Sequence, residues 1–71
     1  MTENIKELMK IYNITYADMG ERLNRSPHTV KQRLNTKSTF YKYEEEYSKA
    51  LQECITHREK RIKELLKEIE Q

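Results

Sequence analysis

Between Pro27 and Asn35, the sequence places amide, imidazole and amino groups on one side of a segment with helical spacing. If Val30 and Leu34, four residues apart, face the interior, the opposite side presents Pro27, His28, Lys31, Gln32 and Asn35. Glutamine and asparagine can pair with adenine through two hydrogen bonds, and lysine can donate to guanine O6 and N7. This chemistry predicts that the segment reads base edges in the DNA major groove.

Polar and basic residues near the ends of predicted helices, or in the connections between helices, form a second group. Such positions are where proteins usually contact DNA phosphates, which fix the protein on the duplex without reading its sequence. We expect backbone contacts from Thr15, Tyr16, Arg25, Ser26, Arg33 and Lys37.

The formal net charge of +2 hides an uneven distribution of charge along the chain. Residues 1–39 carry seven Lys or Arg against four Asp or Glu, whereas residues 40–71 carry seven against eight. Between residues 22 and 37 there are five basic residues and no acidic one. Such a window is the electrostatic footprint expected for phosphate contact, although an ordinary solvated surface has the same charges.

The elements that position these residues are predicted to be helices throughout, so the fold class is all-α. The chain has one Gly and one Pro, and strand-type residues never alternate over a useful length. The first helix is predicted from Thr2 or Glu3 to Tyr12 and ends at Asn13. Its inward face consists of Ile5, Leu8, Met9 and Tyr12.

Capping residues mark the next two helices. Thr15 is a plausible N-cap for a second helix, which carries Met19 and Leu23 inward and ends at Asn24. Ser26 and Pro27 open the third, because Ser accepts from a free N–H and Pro fits the first helical position.

A polar connection over residues 35–39 leads to a fourth helix, predicted from Phe40 almost to Gln71 and about 45 Å long. Residues 1–39 are therefore predicted to be the DNA-binding core, and residues 40–71 one long helix.

The stretch Thr15 to Leu34, TYADMGERLNRSPHTVKQRL, resembles the two-helix unit of phage repressor and Cro-like regulators in the helix-turn-helix superfamily. Its second half, SPHTVKQRL, is also similar to the recognition helix of LuxR-type and sigma-factor units. The resemblance implies a helix-turn-helix from Thr15 to Asn35, Gly20 at the tight helix crossing and Asn24 at the turn. Arg25 and Arg33 stand where this family more often has apolar residues.

From Leu51 onward, a seven-residue register places apolar side chains along one seam. Ile55, Ile62 and Ile69 fall at a, and Leu51 and Leu65 at d, a combination that favours parallel two-stranded pairing. Arg58 interrupts this seam at the remaining d position. We expect these five apolar residues to mediate homodimerisation.

A competing interpretation packs Phe40, Tyr43, Tyr47 and Leu51 against the core. We combine the two: the proximal part of the last helix completes the core and the distal part binds a second chain. The orientation of the pair stays open at this point, and a protein partner of different sequence could occupy the same surface.

Length and composition argue against several other classes of protein. A domain of 71 residues buries only ~60% of its unfolded surface, and a single cysteine, Cys54, provides neither disulfide nor zinc site, which leaves oligomerisation as support. No phosphate-binding loop or nucleophile with a nearby base indicates an enzyme, and no cofactor is expected. The N-terminus lacks a leader pattern and no apolar run approaches the ~18 residues of a membrane span, so we expect a cytoplasmic protein.

The residues and the resemblance together imply a small transcriptional regulator of bacterial or phage origin, such as a repressor, bound to double-stranded DNA as a homodimer. An alternative hypothesis is a protein-interaction module, such as an antirepressor or an inhibitor, that keeps the fold and binds a protein. A purely structural helical adaptor or bundle is the third.

Overall fold

The computed structural model describes residues 2–70, and every regular element in that range is a helix. In chain order the helices are α1 (Thr2–Ile11), α2 (Tyr16–Leu23), α3 (Pro27–Asn35), α4 (Lys37–Phe40) and α5 (Glu44–Glu70). We call α1 to α4 the body; α5 begins against this body and runs beyond it. The all-α class and the long last helix expected from the sequence are confirmed.

Helix α4 departs from the sequence prediction, which places a polar connection there and starts the last helix near Phe40. In the structure Phe40 ends α4, and its ring packs edge-on against Tyr47 with ring centroids 5.6 Å apart. The chain then turns through residues 41–43, where the Tyr43 N–H donates to the Phe40 carbonyl at 2.8 Å. Burial of Phe40 thus delays the start of α5 to Glu44. The predicted end at Gln71 lies outside the described residues.

The first helix ends before Asn13, as predicted, and Asn13 itself adopts the left-handed conformation with φ 55°. The Ile14 N–H donates to the Met9 carbonyl at 2.7 Å, and the Asn13 N–H donates to the Lys10 carbonyl at 3.2 Å. This pair of bonds is a Schellman motif, in which an apolar residue after the turn folds back on the last helical turn. Ile14 is accordingly buried, a core position that sequence periodicity did not indicate.

All five helices contribute to one apolar core. It consists of Ile5, Met9, Ile14, Met19, Leu23, Val30, Leu34, Phe40, Tyr47, Ala50, Leu51 and Cys54. Tyr12 and Tyr43 pack partly buried against this core, and the inward positions expected from the sequence are confirmed with one exception. Leu8 is 37% exposed, because it lines an open groove between α1 and α5 instead of the core.

The two parts of α5 have different surroundings. Tyr47, Ala50, Leu51 and Cys54 are buried against the body, whereas every residue from 59 to 70 is exposed. The prediction that Leu51 contacts a second chain is therefore wrong, because its side chain is already enclosed by the protein's own core. Within residues 2–70, no helix has both the length and the apolar character needed to cross a membrane.

The Tyr47 hydroxyl is buried without a hydrogen-bond partner among residues 2–70. A buried polar group in this state costs free energy of roughly 1–3 kcal/mol, which its removal would recover in part. We expect Tyr47→Phe to raise the free energy of unfolding by about 1 kcal/mol in urea titrations. The matched control is Tyr41→Phe at an exposed position, which should leave stability unchanged. A loss of stability in Tyr47→Phe would contradict this prediction.

Candidate nucleic-acid interface

Helices α2 and α3 are joined by a turn of residues 24–26 that is built around Gly20. Asn24 adopts the left-handed conformation, with φ 56° and ψ 46°, and the Arg25 N–H donates to the Gly20 carbonyl at 2.9 Å. A Cβ on Gly20 would lie 2.4 Å from the Arg25 carbonyl oxygen, far inside van der Waals contact. Residue 20 must therefore be glycine for the turn to approach α2 this closely.

The N-terminus of α3 is capped as predicted. The Thr29 N–H donates to Ser26 Oγ at 3.2 Å, the Ser26 hydroxyl donates to Thr29 Oγ1 at 2.9 Å, and Pro27 occupies the first turn. Val30 and Leu34 are fully buried, so the opposite side of the helix faces solvent. Four of the predicted base-reading residues are exposed there and make no side-chain hydrogen bond or ion pair within residues 2–70: Pro27, His28, Lys31 and Gln32. We call these four the recognition face.

Asn35 is the exception among the predicted base-reading residues. Its side-chain NH₂ donates to the Lys31 carbonyl at 2.9 Å, and its Oδ1 accepts from Lys6 Nζ. Asn35 thus already makes two hydrogen bonds, which use one of the two amide N–H groups and one of the two oxygen lone pairs. Asn35 completes the C-terminal turn of α3 and links it to α1, so a contact with a base would compete with these bonds, and its base-reading role stays a prediction.

Two predicted backbone contacts are occupied elsewhere. The Arg33 guanidinium lies over the Tyr43 ring, with its central carbon 4.1 Å from the centroid, and is thereby held toward the start of α5. Lys37 Nζ lies 2.9 Å from a carboxylate oxygen of Glu3. Their mutual hydrogen bond raises the pKa of Lys37 and lowers that of Glu3. The charge of Lys37 is thus partly offset by an acid, and the role of Arg33 and Lys37 as backbone contacts stays a prediction.

The start of α2 carries the remaining predicted backbone contacts, and it is held by a capping box. The Asp18 N–H donates to Thr15 Oγ1 at 3.1 Å, and the Thr15 N–H donates to an Asp18 carboxylate oxygen at 2.9 Å. This backbone hydrogen bond is the main cause of the lowered pKa of Asp18, and Arg58, 2.9 Å away, lowers it further. Thr15 is exposed, whereas Tyr16 is half-buried against the core.

Arg25 is exposed in the turn before α3. Its guanidinium donates to the Asn24 carbonyl at 3.0 Å, a bond that one N–H of the group can make while the others stay accessible. Ser26, beside it, uses its hydroxyl in the cap described above. Of the six predicted backbone contacts, Thr15, Arg25, Ser26 and Lys37 are exposed, whereas Tyr16 and Arg33 are half-buried.

Two basic residues that sequence reasoning missed lie next to this surface. Lys6 reaches from α1 to the end of α3, and Lys10, one turn later, lines a shallow depression with Thr15 and Tyr16. Their four-residue spacing places them on one side of α1, a signal present in the sequence. Only the tertiary structure shows that Lys6 reaches Asn35 at the end of α3 and that Lys10 lies beside Thr15 and Tyr16.

Comparisons with protein-family models, with curated proteins and with solved structures found no match to this chain. The chemistry of the site therefore has to be judged from its own residues. It combines a capped and exposed helix, a cationic and an amide side chain on neighbouring positions of that helix, and basic groups from α1 and the turn. Such a surface can contact phosphates and hydrogen-bond to base edges.

Proposed function

We propose that this protein is a sequence-specific DNA-binding protein that inserts α3 into the major groove of double-stranded DNA. The observation that carries the proposal is the placement of Lys31 and Gln32: both are exposed on a helix whose other side is fully buried. The major groove admits one helix, and its base edges offer acceptors to Lys and a two-point partner to Gln. Thr15, Arg25, Lys6 and Lys10 flank this helix and supply phosphate contacts.

The resemblance of α2 and α3 to the helix-turn-helix unit supports the same proposal. Gly20 and Asn24 occupy the crossing and turn positions that the resemblance implies, and their geometry suits those roles. We propose further that the protein regulates transcription, in the manner of a small bacterial or phage repressor, as a homodimer. A dimer would read two half-sites and so compensate for the few bases that one small unit can touch.

The salt dependence of DNA binding tests this proposal. Fluorescence anisotropy with duplex DNA should show affinity falling by orders of magnitude between about 50 and about 200 mM salt, because each phosphate contact releases a counterion. Replacing Lys10 by Ala should reduce the slope of log affinity against log salt concentration by about one, because one phosphate contact is lost. It should also weaken binding to all DNA sequences alike. The matched control is Lys60→Ala on the far part of α5, which should change neither quantity.

Absence of binding at low salt would contradict the DNA-binding proposal. That result would favour a second function, that of a protein-interaction module, which one observation supports. Ile62, Leu65, Leu66 and Ile69 are 52%, 40%, 50% and 78% exposed on the last turns of α5, and clustered exposed apolar residues of this kind mark protein-interaction sites. A purified partner that binds this surface while DNA does not bind would decide for the second function.

A further inference from the structure

The apolar side of α5 continues past the point where the body ends. Tyr47, Leu51, Cys54 and Arg58 follow one another at spacings of four, three and four residues, and they face the body. Ile62, Leu65 and Ile69 follow Arg58 at spacings of four, three and four residues, so they lie on a side of the helix that overlaps the body-facing side. They are 52%, 40% and 78% exposed, and Leu66 beside them is 50% exposed. We call these four residues the distal stripe.

A groove marks the step where the body stops and α5 overhangs it. The groove encloses about 810 Å³, and α1, α2 and α5 all contribute to its lining. Ile11 and Tyr12 lie on the body side, while Arg58, Arg61 and Ile62 lie on α5. The exposed Ile11 thus lies across the groove from the first residue of the distal stripe. An apolar helix approaching along α5 would end against Ile11.

We propose that this occupant is the α5 helix of a second copy, running antiparallel, so that each distal stripe covers the other and ends in the partner's groove. This inference rests on the homodimer in the proposed function and settles the orientation that the heptad pattern leaves open. It replaces the parallel pairing favoured by the choice of Ile and Leu along the seam.

Steric exclusion is the first reason for the antiparallel orientation. The body lies on the same side of α5 as the distal stripe, so a parallel partner would bring both bodies between the two α5 helices. Paired helices are only about 8–10 Å apart. The whole molecule measures 21 and 16 Å across its two shorter dimensions, and two bodies cannot fit in that gap. Antiparallel pairing places the bodies at opposite ends, where each meets only the end of the other helix.

Charge complementarity is the second reason. In the antiparallel register, Ile62 packs opposite Leu65 of the partner subunit. Arg61 then faces Glu68 of the partner subunit at the edge of the contact. Because the dimer is symmetric, this ion pair occurs twice. Parallel pairing instead stacks Arg58 on Arg58 of the partner subunit and places Arg61 beside Leu66 of the partner subunit. Antiparallel pairing therefore has two attractive contacts where parallel pairing has a repulsive layer.

Cysteine crosslinking of the full chain tests the orientation. In a Cys54→Ala background, which removes the single native thiol, chains carrying Arg58→Cys and Ile69→Cys are mixed and oxidised. A disulfide requires Cα atoms within about 7 Å. Antiparallel pairing sets positions 58 and 69 of different chains opposite each other, whereas parallel pairing separates them by three helical turns, about 16 Å.

The expected result is a mixed disulfide between the two variants and no disulfide when Ile69→Cys is oxidised alone. Self-linking of Ile69→Cys without a mixed product would establish a parallel pair and overturn the proposal. A monomer in sedimentation of the unmodified protein would overturn it as well. A protein that sediments as a dimer but yields no mixed disulfide would show that another face forms the contact, which would also overturn the proposal.

A charge exchange provides a second measurement that does not depend on disulfide geometry. Arg61→Glu and Glu68→Arg should each weaken self-association roughly tenfold, because each turns two attractive contacts into repulsions. A mixture of the two variants should regain the wild-type affinity, since the heterodimer restores both opposite-charge pairs. Arg61 also lies 3.6 Å from Glu64 of its own chain, but losing that contact affects the single variant and the mixture alike. A mixture as weak as the single variants would overturn the antiparallel register.

These experiments contain no DNA, so their failure is distinct from failure of the DNA-binding proposal. A chain with Lys31→Ala and Gln32→Ala should still form the antiparallel dimer, because both residues lie on α3 and outside the groove. Conversely, Ile62→Asp should give a monomer whose α3 still binds duplex DNA, with lower affinity because only one half-site is engaged.

Discussion

Replacing Lys31 and Gln32 together by alanine is expected to lower the affinity for a specific DNA site by at least about thirtyfold. A well-formed contact to a base edge discriminates by roughly 1–3 kcal/mol, and this variant removes two. Both side chains are exposed and make no hydrogen bond within the described residues, so the free energy of unfolding should stay nearly constant. Fluorescence anisotropy on a selected binding site and circular dichroism measure the two quantities.

The chain offers a matched control for this substitution. Lys49 and Gln52 have the same residue types and are exposed on α5, away from the recognition face. The double variant Lys49→Ala and Gln52→Ala removes one positive charge and one amide, as the first variant does. Any difference in DNA affinity between the two variants therefore comes from where these groups lie on the surface. Equal losses of affinity in both double variants would show that overall charge drives binding. Unchanged specific binding in the Lys31 and Gln32 variant would contradict the assignment of the recognition face.

Gly20→Ala is expected to lower the free energy of unfolding by about 2 kcal/mol, against the usual preference of helices for alanine. In an exposed helix interior alanine is favoured over glycine by roughly 1 kcal/mol. Here the added Cβ would meet the Arg25 carbonyl oxygen at 2.4 Å, and this oxygen is backbone that moves only if the turn opens. The midpoint of thermal unfolding should fall by roughly 10 °C for a domain of this size.

Glu21→Ala is the control for the effect of alanine in α2, because residue 21 adjoins Gly20 but is exposed. It should change stability by a few tenths of a kcal/mol at most, in line with surface substitutions generally. Thermal unfolding followed by circular dichroism compares the two variants. A stability of Gly20→Ala equal to or above that of the unmodified protein would show that α2 and the turn have room for a side chain.

Most helix boundaries could be predicted from the sequence because the groups that set them are close along the chain. Thr15 and Asp18 cap each other across three residues, Ser26 caps Thr29 across the same separation, and Asn24 needs only its own backbone conformation. The start of α5 was predicted wrongly because it depends on Phe40. That ring is buried against Tyr47 of the following helix, and no capping residue marks the turn between them.

The composition of the recognition surface depended on contacts between distant residues. Asn35 has the right chemistry to read adenine, but its amide also bonds to Lys6, 29 positions earlier, and to the Lys31 carbonyl. Arg33 lies over Tyr43, and Lys37 pairs with Glu3. Residue type and helical period indicate which side chains face outward. They do not indicate which neighbour from another helix will already hold a polar group.

The sequence by itself determined the all-α class, the capped helices α2 and α3, and the outward position of Lys31 and Gln32, because helical period and capping are local properties. Tertiary structure decided which part of the apolar side of α5 is covered. Leu51 and Leu65 occupy equivalent d positions in one repeating pattern, yet Leu51 is buried and Leu65 is 40% exposed. The physical reason is that burial requires a packing partner, and the body reaches only as far as the first half of the helix.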